Sequence, residues 1–76
     1  MELKKFIENF AEQFEETDAA KIQAETNFKN LEEWSSLTAL SIIAMVDEEY
    51  GVRIKGDDIR IVSTIEDLFK LVEGRR

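Results

Sequence analysis

The sequence predicts an all-α bundle of three main helices, with a long loop after the first and a short extra turn before the last. Three observations carry that prediction. Apolar residues recur at helical spacing in three separate segments, hydroxyl side chains head two of them, and no alternating run is long enough for a sheet. The chain reads as one domain over residues 1–76. A chain this short buries only about 60% of the surface its unfolded form exposes, so the core is thin. It has no cysteine for a disulfide or thiolate metal site, and no histidine for a general base or metal ligand. Helix packing must supply nearly all the stability, and no catalytic or metal-binding residue is predicted.

Ten basic against 17 acidic residues give a formal charge of −7. That balance disfavours nucleic acid and anionic membrane, and it steers the chain toward positively charged protein surfaces. No stretch approaches the ~18 apolar residues of a membrane span. Met1-Glu2-Leu3-Lys4-Lys5 leads into an amphipathic segment and not into a signal-peptide apolar region. The expectation is a cytoplasmic monomer without membrane insertion.

The first helix is expected from about Glu2 to about Glu16, with Leu3, Phe6, Ile7, Phe10 and Phe14 as its buried stripe. From Thr17 to Glu33 the periodicity fades. That segment either hides a helical turn around Ala19–Ala24 or wraps the core, pinned by Ile22, Phe28 and Leu31; the second reading is favoured.

The second helix, from about Ser36 to about Tyr50, is the informative one. At ~100° per residue, Ala39, Ile42, Ile43, Val46 and Tyr50 share its core face. Leu37, Leu40 and Ala44 cluster away from that face, beside Ser41, Asp47 and Glu48. They read equally as scattered surface hydrophobes or as a docking patch edged with carboxylates. Gly51 is the expected stop. Val52-Arg53-Ile54 is extended, and Lys55-Gly56-Asp57-Asp58 is a turn in which Asp57 or Asp58 caps a short helical turn through Ile59–Val62. The last helix is headed by two overlapping capping boxes, Ser63 with Glu66 and Thr64 with Asp67. Its stripe is Ile65, Leu68, Phe69 and Val72, and Gly74 is expected to end it.

Ser35 and Ser36 are the only chemically suggestive residues with a structural logic to their place. Both could simply cap the second helix. Neither is a hydrolase nucleophile, because no histidine and no Gly-x-Ser-x-Gly elbow activates it. Ser36 is also suited to carry a phosphodiester, whose charge the helix dipole accommodates. That describes a carrier and not a catalyst.

Ser36-Leu37, followed by Leu40, Ile42-Ile43, Val46 and Asp47-Glu48-Glu49-Tyr50-Gly51-Val52, resembles the second-helix signature of acyl carrier proteins. Thr26-Asn27-Phe28, Leu31 and Glu33-Trp34 look like the approach to that serine, and Ile61-Val62-Ser63-Thr64-Ile65-Glu66-Asp67-Leu68 looks like the approach to the last helix. The resemblance covers essentially the whole chain. It implies an acyl-carrier-protein-like bundle and transfer of 4′-phosphopantetheine from coenzyme A to Ser36 by a phosphopantetheinyl transferase. It further implies acyl groups held as thioesters for fatty-acid, polyketide or related biosynthesis.

On that resemblance, Leu37, Leu40, Ser41, Ala44, Asp47 and Glu48 form the recognition face for acyl-loading, synthase and acyl-transfer enzymes with basic docking patches. Ser35 caps the helix and touches the transferase, and the acyl chain tucks beside Phe28, Ile43, Val46 and Ile59. Two residues depart from the family pattern. Ser35 stands where most members have aspartate, and Ser41 where many fatty-acid carriers have glutamate; with Trp34, they point to a dedicated pathway carrier. The rival readings are a carrier of amino-acid groups, D-alanyl or peptidyl, and an unmodified helical interaction module.

Overall fold

A computed structural model describes residues 2–76; Met1, the first residue of the amphipathic lead-in, lies outside the described residues. Among these residues four α-helices follow in order: α1 (Leu3–Ala11), α2 (Ser36–Tyr50), α3 (Gly56–Ile61) and α4 (Ile65–Arg75). Two 3-10 turns, Ala19–Lys21 and Phe28–Asn30, interrupt the loop between α1 and α2. The architecture is the expected all-α bundle with a short third helix.

Its core is one cluster fed by every helix. Phe6, Phe10, Phe28, Ile42, Val46, Ile65, Leu68 and Val72 are fully buried there. Aromatic rings carry much of the packing: Phe6 meets Tyr50 and Phe69 at centroid separations of 5.6 and 5.5 Å. No helix among the described residues is long and apolar enough to cross a membrane.

α1 ends five residues before its expected limit. Gln13 N–H donates to Phe10 C=O and Phe14 N–H to Ala11 C=O, so the last turn tightens. Beyond it, the N–H groups of Glu15, Glu16 and Thr17 donate to the Glu33 carboxylate, leaving no donors to extend the helix. Phe14 remains buried although it lies outside the helix. The loop both wraps the core, through buried Ile22 and Phe28 and half-buried Leu31, and contains a short helical turn at Ala19–Lys21. Both readings of that segment hold.

α2 spans the expected residues. Ser35 caps it and Gly51 closes it in the left-handed region at φ 67°, which glycine adopts without the steric cost a Cβ imposes. Its buried face is turned from the expected one toward Thr38 and Met45, both buried, while Ala39, Ile43 and Tyr50 are only partly covered. The cause is α1, which runs along that edge. Asn9, itself buried, donates to the Tyr50 hydroxyl at 3.0 Å, and Asn9, Gln13 and Met45 line one groove between the two helices.

α3 begins earlier than expected, at Gly56, with Lys55 as its N-cap. Asp58 is not the cap. It is the third helical residue, and its carboxylate accepts the Lys55 N–H at 2.8 Å and both Arg75 guanidinium nitrogens at 2.7 Å. The other end of α3 is held by Lys29, whose ammonium donates to the Arg60 carbonyl at 2.8 Å. The partnership with Arg75 also explains why Gly74 does not terminate α4, which continues to Arg75.

Of the two capping boxes, only Thr64 with Asp67 forms. A Ser63 cap would need the Glu66 N–H, and that group donates to Ala24 C=O at 2.9 Å. A further tie, Ile65 N–H to Thr26 C=O, lies beside the bridge between Asn27 and Thr64. Loop residues thus choose where α4 starts.

The Arg75 guanidinium, and after it the Lys55 N–H, hold the Asp58 carboxyl down at about 2, against an ordinary 3.8. A depressed carboxyl pKa stabilises the fold above its unfolded value, and that contribution is lost as pH falls through the folded one. Asp58→Asn is therefore expected to lower Tm at neutral pH and to converge with wild type between about pH 4 and pH 2. Melting curves across that range check it, and a constant offset down to pH 2 rules it out.

Candidate functional site

The head of α2 is built by three consecutive residues, each tied to something, and a fourth tied to nothing. Glu33 gives its carboxylate to the loop: Glu15 N–H at 2.7 Å, Glu16 N–H at 3.0 Å, Thr17 N–H at 2.9 Å and the Thr17 hydroxyl at 2.8 Å. The Glu15 N–H does most to hold this carboxyl below its ordinary range; the Thr17 hydroxyl and the other two N–H groups add to it, against the opposing effect of burial. The Glu33 carbonyl accepts the Thr38 hydroxyl at 2.8 Å. Trp34 packs its ring on Phe28 and Phe14, at centroid separations of 4.8 and 6.5 Å. Ser35 Oγ accepts the Thr38 N–H at 3.3 Å and lies 3.2 Å from Thr38 Oγ1. Since the Thr38 hydroxyl donates to Glu33, the Ser35 hydroxyl is the donor of that last contact.

Ser36 follows as the first residue of α2. It is exposed, and among the described residues its hydroxyl makes no hydrogen bond to protein. Ser35 consumes the capping role, so Ser36 is left over at the positive end of a 15-residue helix.

The residues read as a recognition face are all exposed: Leu37 at 77%, Leu40 at 61%, and Ser41, Ala44, Asp47 and Glu48 with them. Leu37 and Leu40 are two of the three large hydrophobic side chains exposed among the described residues. The third, Ile61, is 75% exposed at the end of α3 and was not singled out from the sequence. Its signal was available: Ile59 and Val62 are the buried pair at i, i+3, and Ile61 falls off that stripe.

Phe28, Val46 and Ile59 lie in the core and Ile43 packs half-buried against it. They line neither the groove of about 310 Å³ between α1 and α2 nor the larger one beside the loop. Among the described residues no acidic cluster could hold a metal ion.

A helical bundle that leaves a free hydroxyl at the head of its longest helix, with no base beside it, has the build of a carrier domain. The chain belongs to the phosphopantetheine-binding carrier family: the family described as Phosphopantetheine attachment site matches residues 4–72. It is also similar to an acyl carrier protein of Micrococcus luteus, 26% identical over 57 residues that cover 75% of this chain and 70% of that protein. This is a family of carriers that are not themselves catalytic. The residues present fit a covalent phosphodiester, since the exposed Ser36 hydroxyl has no protein partner to give up and lies where the helix dipole favours negative charge.

Proposed function

We propose that this chain is an acyl carrier protein that bears 4′-phosphopantetheine on Ser36 and serves fatty-acid, polyketide or related acyl biosynthesis. The observation that carries the proposal is the unbonded Ser36 hydroxyl at the start of α2, in a chain of the carrier family. When attached, the group supplies a terminal thiol on which acyl groups are held as thioesters, chemistry a chain without cysteine otherwise lacks. In loading, the Ser36 oxygen forms a bond to the pantetheine-bearing phosphorus of coenzyme A. The phosphoanhydride bond breaks, 3′,5′-ADP leaves, and the serine proton passes to a base on the transferase.

The rest of the site has two tasks. Ser35 holds the first turn of α2 through Thr38, so attachment at Ser36 removes no helix cap. Leu37, Leu40 and Ala44 offer an apolar stripe beside Ser41, Asp47 and Glu48, suited to the transferase and to acyl-loading, synthase and acyl-transfer enzymes whose docking surfaces are basic.

Incubation with a promiscuous phosphopantetheinyl transferase and coenzyme A tests the reading by intact mass. One phosphopantetheine added, mapping to Ser36 on peptide sequencing, supports it; an unmodified chain refutes it. Leu40→Asp is expected to leave stability within about 0.5 kcal/mol of wild type, because Leu40 is 61% exposed. Binding to the transferase, followed by titration, is expected to weaken roughly tenfold or more, the scale of losing a buried apolar anchor.

A further inference from the structure

We infer that Glu33, three residues before the serine, is a positioning residue that sets how Ser36 is presented to the transferase. The inference rests on the reading of Ser36 as the attachment point.

Glu33 is engaged at both its ends. Its carboxylate gathers four donors from Glu15, Glu16 and Thr17, where the chain leaves α1. Its carbonyl receives the hydroxyl of Thr38, a buried residue in the first turn of α2. Thr38 in turn is bonded to Ser35 through both its N–H and its hydroxyl. A continuous set of bonds therefore runs from the loop just after α1, through Glu33 and Thr38, to the residue before Ser36. Other side chains near the serine do not replace this link. Trp34 fixes its segment by ring packing, which resists lateral displacement but has little directional preference. Ser35 fixes the cap only relative to α2 itself. Among the described residues, Glu33 alone connects the serine's segment to the loop that follows α1 by directional bonds.

The chemistry of the acceptor matters as much as its place. Three backbone N–H groups and a hydroxyl converge on two carboxylate oxygens. A glutamine there offers one acceptor oxygen and turns an NH₂ toward donors. Glu33→Gln is thus expected to release the α1 junction and let the Glu33–Ser36 segment sample other orientations. If the competent orientation is then only a fraction of the population, the apparent affinity of the transferase for the carrier falls by that fraction while the transfer step itself is unchanged.

The test is steady-state transfer from coenzyme A to wild type, Glu33→Gln, Glu33→Ala and Asp58→Asn, with Tm measured for each. Asp58→Asn breaks the Arg75 bridge, whose partners include no residue of the serine's segment, and serves as the control for destabilisation alone. Expected are a KM for the carrier raised roughly fivefold or more in both Glu33 variants, with kcat within about twofold, and wild-type constants for Asp58→Asn. Acetate, but not chloride, is expected to refill the emptied donor nest in Glu33→Ala and restore KM. Wild-type KM in the Glu33 variants overturns the inference, as does a rise matched by Asp58→Asn at equal loss of Tm. A wild-type chain that accepts no phosphopantetheine sinks the carrier reading and this inference together, whereas normal loading with indifferent Glu33 variants sinks this inference alone.

Discussion

Ser36→Ala is expected to gain no mass when incubated with a promiscuous phosphopantetheinyl transferase and coenzyme A, under conditions that convert the wild type fully. The loss is complete because the substitution removes the one atom to which phosphorus would bond. The fold has little reason to notice. Alanine is the best of helix formers, Ser35 still caps α2 through the Thr38 N–H, and the Ser36 hydroxyl has no protein partner to forfeit. Stability should change by no more than an exposed substitution ordinarily allows, within about 0.5 kcal/mol. Ser35→Ala gives the opposite pattern: it removes the cap, costs about 1 kcal/mol, and still accepts the group at Ser36. Intact mass and melting curves on the two variants separate the roles. Modification of Ser36→Ala at the neighbouring Ser35 would show that the two serines had been assigned the wrong way round.

That Ser35 caps α2 and Gly51 closes it was legible in the sequence because both signals are local. The serine before α2 and the glycine after it act on their own backbone and its nearest turns, so the bounds of α2 follow from the residues at its ends. The exposed leucines were legible for a similar reason, since they fall off a stripe that the helical period alone defines. What was not legible depends on partners distant in the chain. α1 stops where it does because Glu33, 16 to 18 residues on, takes the N–H groups that a longer helix would use. Asp58 belongs to the first turn of α3 and not to its cap because Arg75 and Lys55 both claim its carboxylate. Thr38, a polar residue that no hydrophobic pattern selects, is drawn into the buried face of α2 by its bond to a carbonyl in the preceding loop, while α1 covers Met45. Glu33 was read only as part of the approach to the serine, and one glutamate among many carries no mark of its donors.

Phe28→Ala is expected to be the most damaging substitution in the loop, and it tests whether that loop is held by its core anchor or by its polar ties. Phe28 is fully buried, with its ring 5.4 Å from Phe10 and 4.8 Å from Trp34. Truncating such a ring costs about 3–5 kcal/mol. A chain of 76 residues has only about 4–11 kcal/mol of stability to lose. At roughly 4–8 °C per kcal/mol for a domain this size, Tm should fall by roughly 12–40 °C. The polar ties offer little compensation, because the Lys29–Arg60 contact and half of the Glu33 clamp are exposed, where water competes for the same groups. Loading of Ser36 should suffer in proportion to the unfolded fraction and recover on cooling below the variant's Tm, since Phe28 acts through the packing beneath Trp34 and not on the hydroxyl. A fall of only a few degrees would mean that the clamp and the bridge suffice to hold the loop. The aromatic stack under the serine would then be filling and not foundation.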